Sequence, residues 1–169
     1  MATVLLGIGS NLGDRQANIE KALTLLKENR AIEFVALSGL MESRAEGGPP
    51  QGDFLNGAIK IKTDLLPLEL LSQLKMIERR LGRVKGEPNS PRPMDLDILF
   101  YDDVVIVDGK NLELPHPRLA ARLFVLKPLL EIAPEWIHPR IGKSIRELYE
   151  ERVRGARAVQ PAEGIGQVP

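Results

Sequence analysis

Asp95 and Asp97 stand two positions apart in the otherwise apolar run Asp95-Leu96-Asp97-Ile98-Leu99. In a β-strand, residues two apart share a face, so both carboxylates point one way while Leu96 and Ile98 point into a core. Adjacent like charges repel unless a cation lies between them. Hard oxygen ligands of this kind suit Mg2+, which binds through one or two carboxylates together with waters and substrate phosphates. The preceding segment, Gly82-Arg83-Val84-Lys85-Gly86-Glu87-Pro88-Asn89-Ser90-Pro91-Arg92-Pro93, brings Arg83, Lys85 and Arg92 next to these acids. Arginine offers a planar fork to phosphate oxygens, so the combination is what a polyphosphate–metal complex requires. A solvated polar face beside a solvated loop accounts for the charges but not for their juxtaposition.

A second group is Phe54 and Asn56, again two apart at the start of a strand-like run. A flat ring beside an amide makes a platform with a hydrogen-bonding partner, although core packing accounts equally for Phe54 alone. His116 sits between Pro115 and Pro117, in a stiffened loop where a plain surface histidine is the alternative. Other motifs fail on spacing. Gly7-Ile8-Gly9-Ser10-Asn11-Leu12-Gly13 reads G-x-G-x-x-x-G, one residue too long for the dinucleotide fingerprint. Gly142-Lys143-Ser144 lacks the first glycine of a phosphate loop, since position 137 is Ile137.

The elements that must carry these residues follow from periodicity. Thr3-Val4-Leu5-Leu6-Gly7-Ile8 is a short apolar run suited to a strand buried on both faces. Ile19, Ala22, Leu23 and Leu26 then recur at helical spacing, with Asp14 placed to cap them. Strands are expected at 32–38, at 55–62 where Ile59 and Ile61 alternate with Lys60 and Lys62, and at 95–101. Pro67 opens a second helix with Leu70, Leu74, Ile77 and Leu81 on one face, and Gly82 stops it. The order β-α-β-β-α-β is that of a ferredoxin-like α+β sandwich with a mostly antiparallel sheet. Beyond it, Asp108-Gly109 predicts a hairpin, 119–132 a helix broken near Lys127-Pro128, and Ser144-Ile145-Arg146-Glu147 the capping box of a last short helix. Residues 155–169 read as a loose tail, leaving 1–154 as a single domain. The connections 39–53 and 82–94 are long for so small a domain, and long loops of this kind are usually functional lids or disordered.

Composition narrows the classes. The chain of 169 residues has 23 Lys+Arg against 23 Asp+Glu, a net charge of zero, where a nucleic-acid binder normally shows a basic excess. With no cysteine there is no thiolate metal site, disulfide or cysteine nucleophile. No apolar run reaches the roughly 18 residues of a membrane span, and the first residues lack the pattern of a signal peptide. A cytoplasmic protein with small-molecule partners is expected, with no nucleic acid and no membrane.

Taken in order, the segments Gly9-Ser10-Asn11-Leu12, Phe54-Leu55-Asn56, Glu78 with Leu81-Gly82-Arg83, Pro91-Arg92 with Asp95-Leu96-Asp97-Ile98-Leu99, Pro115-His116-Pro117-Arg118, and Arg122 with Phe124-Val125-Leu126 resemble the hydroxymethyl-dihydropterin pyrophosphokinase family. The resemblance runs over roughly residues 4–132, and its most specific pieces are P-R-x-x-D-x-D-I-L, P-H-P-R and R-x-F-V-L. It implies a ferredoxin-like fold and transfer of pyrophosphate from MgATP to 6-hydroxymethyl-7,8-dihydropterin, leaving AMP. It further implies that Asp95 and Asp97 hold two Mg2+ ions, and that Arg83 and Arg92 grip phosphates as catalytic groups. Glu78, Lys85, His116 and Arg122 would lie at the ATP. Phe54 and Phe124 would sandwich the pterin, with Asn56 and Ser43 at its edge. The chain departs from the family at Pro88-Asn89-Ser90, where an Arg-Trp pair is usual, and at Arg44 and Glu46, where proline and an aliphatic residue are usual. A monomer or weak homo-oligomer is expected. The alternative is a ferredoxin-like binding module without catalysis, which has no need of Asp95, Asp97 and Arg92 together.

Overall fold

Alternation of side chains along a central strand sets the architecture. In the computed structural model, which describes residues 1–107 and 110–167 and side chains as far as 157, β1 (Ala2–Ser10) sends Val4, Leu6 and Ile8 to one face of a five-stranded sheet and Leu5, Gly7 and Gly9 to the other. The sheet has the order β2-β4-β1-β5, in which β2 is Ile32–Leu37, β4 Phe54–Thr63 and β5 Asp95–Tyr101. Every pairing is antiparallel, as the split βαβ pattern requires.

The first face is closed by α1 (Arg15–Glu28) and α2 (Pro67–Arg80), which place Ile19, Ala22, Leu26, Leu70, Leu74 and Ile77 against Val4, Leu6, Ile59, Ile61, Leu96 and Ile98. Asp14 caps α1 by accepting from the Ala17 N–H at 3.0 Å, and Pro67 opens α2. The end of α2 follows the glycine stop: Gly82, at φ +97°, donates to the Arg79 carbonyl, and Arg83 N–H reaches back to the Glu78 carbonyl. This paired arrangement satisfies two of the orphan carbonyls at the helix end.

The second face is only partly covered. Helices α3 (Leu123–Ile132) and α4 (Ile145–Gln167) pack Leu126, Leu129, Ile145 and Leu148 on Leu5, Ala58, Leu99 and Phe100, leaving the Gly7–Gly9 end open. A β-bulge contributes here. Leu6 pairs with Ile98 but Leu5 pairs with Phe100, so Leu99 is an extra residue that lets β5 present both Leu99 and Phe100 to this face.

Several expectations are corrected. The connection 39–53 begins with a short strand, β3 (Met41–Ser43), which continues along the β4 edge where β2 leaves off, because Ser38 bridges the gap through bonds to and from Ala58. The helix expected over 119–132 breaks at Arg122, not at Pro128. A 3-10 turn over Leu119–Ala121 ends there in extended backbone, and Pro128 lies buried inside α3. So close to the helix start, its missing N–H costs a single bond, to the Phe124 carbonyl. The hairpin reduces to one bridge, Ile106 to Leu114, and its Asp108-Gly109 turn lies outside the described residues. The last helix is long, running through most of the expected tail to Gln167. The Ser144–Glu147 box nucleates it, and Glu150, Glu151, Arg152 and Arg154 are good helix formers that extend it.

Candidate active site

Strand register builds the site. Gly9 of β1 lies opposite Asn56 on one side and Asp95 on the other, and Gly7 lies between Ala58 and Asp97. Each row thus runs from an amide or methyl on β4, across a bare glycine, to a carboxylate on β5. The glycines are the floor: a Cβ at Gly9 would sit 3.3 Å from both Asn56 Oδ1 and a ring carbon of Phe54. Phe54 and Asn56 share this face as expected, and β3 brings Ser43 beside Phe54. Asn56 Nδ2 donates to Ser43 Oγ at 2.7 Å and to the Met41 carbonyl at 3.3 Å. Its Oδ1 is thereby oriented toward the floor as an acceptor.

Opposite, the 3-10 turn and α3 deliver Arg122 and Phe124, and His116 is anchored by its N–H to the Leu99 carbonyl at 2.9 Å. All of these line one cavity with Arg92, Asp95 and Asp97. It measures about 80 Å3, far below the roughly 300–1,000 Å3 of small-molecule sites, so two substrates enter only if the covering loops open. Burial, reinforced by Arg122 and opposed by Asp95, lowers the His116 pKa and keeps its imidazole neutral at pH 7.

The acidic pair is stressed. Burial, and then the Asp95 charge, raise the Asp97 pKa to about 7. Asp95 is better served: its Oδ1 accepts from Arg83 Nη1 at 3.0 Å, and Arg92 Nε lies 3.5 Å from its Oδ2. Burial alone would lower the Arg83 pKa, but Asp95 and Glu78 more than offset this and raise it. Glu78 itself is buried under the strand. It accepts from Arg83 at 3.0 Å, from the Leu96 N–H at 2.8 Å and from Lys75 at 3.2 Å, so the turn that ends α2 and the strand that carries the acids are tied to one carboxylate. Among the described residues no three acidic or histidine side chains cluster to hold a metal unaided. The donor set of two hard carboxylates, one of them strained by its neighbour, fits Mg2+ completed by phosphate and water.

Lys85 does not reach this cavity. It lines a second one of about 490 Å3 between α2 and the loop 82–94, with Lys75, Glu78, Arg79 and Arg83, and the two cavities share Asn89 and Arg92. Arg92 turns inward, its guanidinium 4.8 Å from the Phe54 ring centre and its buried Nε without a hydrogen-bond partner.

Residues without an assigned role join the two long connections. Asn11 Oδ1 accepts from the Arg92 N–H at 2.9 Å, while its Nδ2 donates to Gln51 Oε1 at 2.7 Å. Gln51 in turn donates to the Asn89 carbonyl at 2.7 Å, and Gly48 packs so close to Asn89 that a Cβ there would collide with that carbonyl oxygen. The sequence signal was present in Asn11, within the quoted Gly-Ser-Asn-Leu segment, and in the Gly47-Gly48 pair; the partner across the gap was not.

Residues 5–134 match the family model of 7,8-dihydro-6-hydroxymethylpterin-pyrophosphokinase. The chain belongs to this family. It is 48% identical over 151 residues to a 2-amino-4-hydroxy-6-hydroxymethyldihydropteridine pyrophosphokinase of Aquifex aeolicus, covering 89% of this chain and 92% of that one. It is 42% identical over 147 residues to the enzyme of the same name from Synechocystis sp., covering 87% and 74%. Among solved structures, an HPPK-DHPS in complex with substrates superposes with a TM-score of 0.75 at 16% identity, and Plasmodium falciparum HPPK-DHPS with pteroate at 0.74 and 18%. This chain is covered to 94% and 95%, and spans 44% of each of theirs. At that identity the likeness speaks for the fold, which agrees with the ferredoxin-like expectation. No helix among the described residues is long and apolar enough to cross a membrane.

Proposed function

We propose that the glycine-floored cavity carries out the family's reaction, transfer of pyrophosphate from ATP to the hydroxymethyl group of 6-hydroxymethyl-7,8-dihydropterin in folate synthesis. The hydroxymethyl oxygen attacks the β-phosphorus, the bond from that phosphorus to the α,β-bridging oxygen breaks, and AMP leaves. The observation that carries this reading is the cross-strand row Asn56–Gly9–Asp95, which sets a ring-and-amide platform and a carboxylate pair on opposite sides of bare backbone. Phosphoryl-type transfer needs positioning and charge neutralisation more than a covalent residue.

Phe54 and Phe124 take the two faces of the pterin, and Asn56 Oδ1 accepts from its edge while Ser43 holds the amide. Asp95 and Asp97 would hold Mg2+, two ions in the full complex, which would supply charge neutralisation to the triphosphate. Arg83 and Arg92, now paired with Asp95, exchange that carboxylate for phosphate oxygens, and neutral His116 and Arg122 contact the nucleotide. Lys85, with Lys75 and Arg79, serves the nucleotide from the second cavity, and Glu78 acts by fixing Arg83 and β5. The lid that an Arg-Trp pair would form is supplied by Asn89 held on Gln51, with Arg92 behind it. ATP and the pterin are its small-molecule partners, and the chain acts as a monomer or weak homo-oligomer. Residues 1–154 form the catalytic unit, and 155–169 lie outside it.

Incubation with MgATP and the pterin alcohol tests the assignment. AMP should appear one-for-one with pterin diphosphate. Stoichiometric ADP would replace the reading with a simple kinase. Pterin binding without nucleotide turnover would favour the non-catalytic module.

A further inference from the structure

Glu46 has no part in the reaction as derived, yet it faces the cavity from the first long connection. Its Oε1 lies 3.2 Å from Arg122 Nε, and the two partners are unequally fixed. The Arg122 side chain is 20% exposed and that of Glu46 52%. Arg122 is further held as the extended residue that opens α3, with its guanidinium 5.6 Å from the Phe124 ring centre. Arg122 is therefore the fixed member of the pair, and Glu46 the one with a path to water.

A guanidinium fork that matches a phosphate matches a carboxylate equally well, through planar oxygens and negative charge. Glu46 thus occupies on Arg122 the position a phosphate oxygen would take. Glu46 Oε1 takes the Nε side of the fork, so a phosphate that seats on the fork through Nε must turn Glu46 out. We propose that Glu46 is a resident competitor for the phosphate position on Arg122 and sets how tightly the cavity takes MgATP. This inference rests on the nucleotide lying at Arg122, as in the proposed function.

The test is calorimetric binding of the magnesium complex of α,β-methylene ATP to the intact protein, its Glu46→Gln variant, its Arg122→Ala variant and the double variant. Glu46→Gln should tighten binding about three- to fivefold at low ionic strength, the scale of a partly exposed ion pair. The ratio should shrink toward one as salt screens the pair. In the Arg122→Ala background Glu46→Gln should change nothing. Unchanged or weaker binding by Glu46→Gln overturns the proposal, and so does equal tightening with and without Arg122. A raised KM for the pterin with unaltered nucleotide affinity also overturns it, by assigning the carboxylate to the pterin. Thermal midpoints within error of one another show that the variants are folded, as the exposure of Glu46 leads one to expect. The wild-type AMP assay is scored separately, so failure of the reaction assignment and failure of the competitor are distinct results.

Discussion

The two faces of the sheet are made from the same strands by alternate residues, and they differ in kind. On the α1/α2 face, Val4, Leu6, Ile8, Ile59, Ile61, Leu96 and Ile98 form an unbroken apolar surface. On the other, the same strands pass from Leu5, Ala58 and Phe100 at one end to Gly7, Gly9, Asn56, Asp95 and Asp97 at the other. A period of two allows one strand to serve a core and a site at once, and the site begins where α3 and α4 cease to cover the sheet. Changes on one face should therefore read out as stability and changes on the other as chemistry.

The largest test is Asp97→Ala, and with it Asp95→Ala. Each should lower kcat at least about 10²-fold, the scale of losing one electrostatic contact to the transition state. The metal-free Asp97→Ala protein should be no less stable than wild type at pH 8. Burial and Asp95 raise the folded pKa of Asp97 to about 7, above the ordinary 3.8 of a free carboxyl, so its ionisation costs stability as pH rises through that interval. Near-normal turnover in both variants would remove the acids from the mechanism.

Next in size is Gly9→Ala, whose Cβ would press on Phe54 and Asn56 at 3.3 Å. The displaced ring and amide should fit the pterin less well and raise its KM roughly tenfold, the equivalent of about 1.4 kcal/mol. Gly7→Ala meets only Leu99, at an ordinary 3.5 Å, and should be milder. Equal effects would deny that the floor at Gly9 is shaped for the pterin. On the opposite face, Ile59→Val should cost about 0.5–1.5 kcal/mol in denaturant unfolding and leave both KM values alone. A shift in either KM would break the division between the faces.

The smallest effect concerns His138, far along the chain. Its Nδ1 accepts from the Arg140 and Ile141 N–H groups, and burial followed by the Arg140 charge lowers its pKa below the ordinary 6.5 of histidine. Its stabilising share is complete above pH 6.5 and is lost as pH falls from there through the folded pKa. Thermal midpoints between pH 7 and pH 5 should therefore decline less steeply in His138→Asn, whose amide oxygen accepts without titrating. An identical slope would count against it.

The fold was legible because alternation and helical spacing are local signals: Ile59 and Ile61 against Lys60 and Lys62 define a strand without reference to anything else. Asp95 and Asp97 were legible for the same reason, as was the Pro67-to-Gly82 helix that delivers Arg83. What the sequence withheld depends on partners distant along the chain. β3 exists because Met41–Ser43 finds the β4 edge, and the break at Arg122 was hidden behind the more conspicuous Pro128. Gln51 and Asn89 meet only because two connections 38 residues apart fold onto each other. Lys85 shows the converse: its neighbours in sequence suggested the main cavity, whereas the loop's path carries it to the second.

The extra residue at Leu99 gives β5 a phase change. Up to Ile98 the odd-numbered residues face the site; beyond it Phe100 does, and Tyr101 returns to the α1/α2 core with its hydroxyl on the Leu65 carbonyl at 2.6 Å. The strand is thereby divided into two reading frames. Changes at Phe100 and Tyr101 are judged by packing, and changes at Asp95 and Asp97 by chemistry, with Leu96 between the acids still answering to the core. Removing Leu99 would fuse the frames into one alternation, with Ile98 still opposite Leu6, Phe100 opposite Leu5 and Tyr101 opposite Val4, so that only the Leu99 side chain is lost from the α3/α4 side.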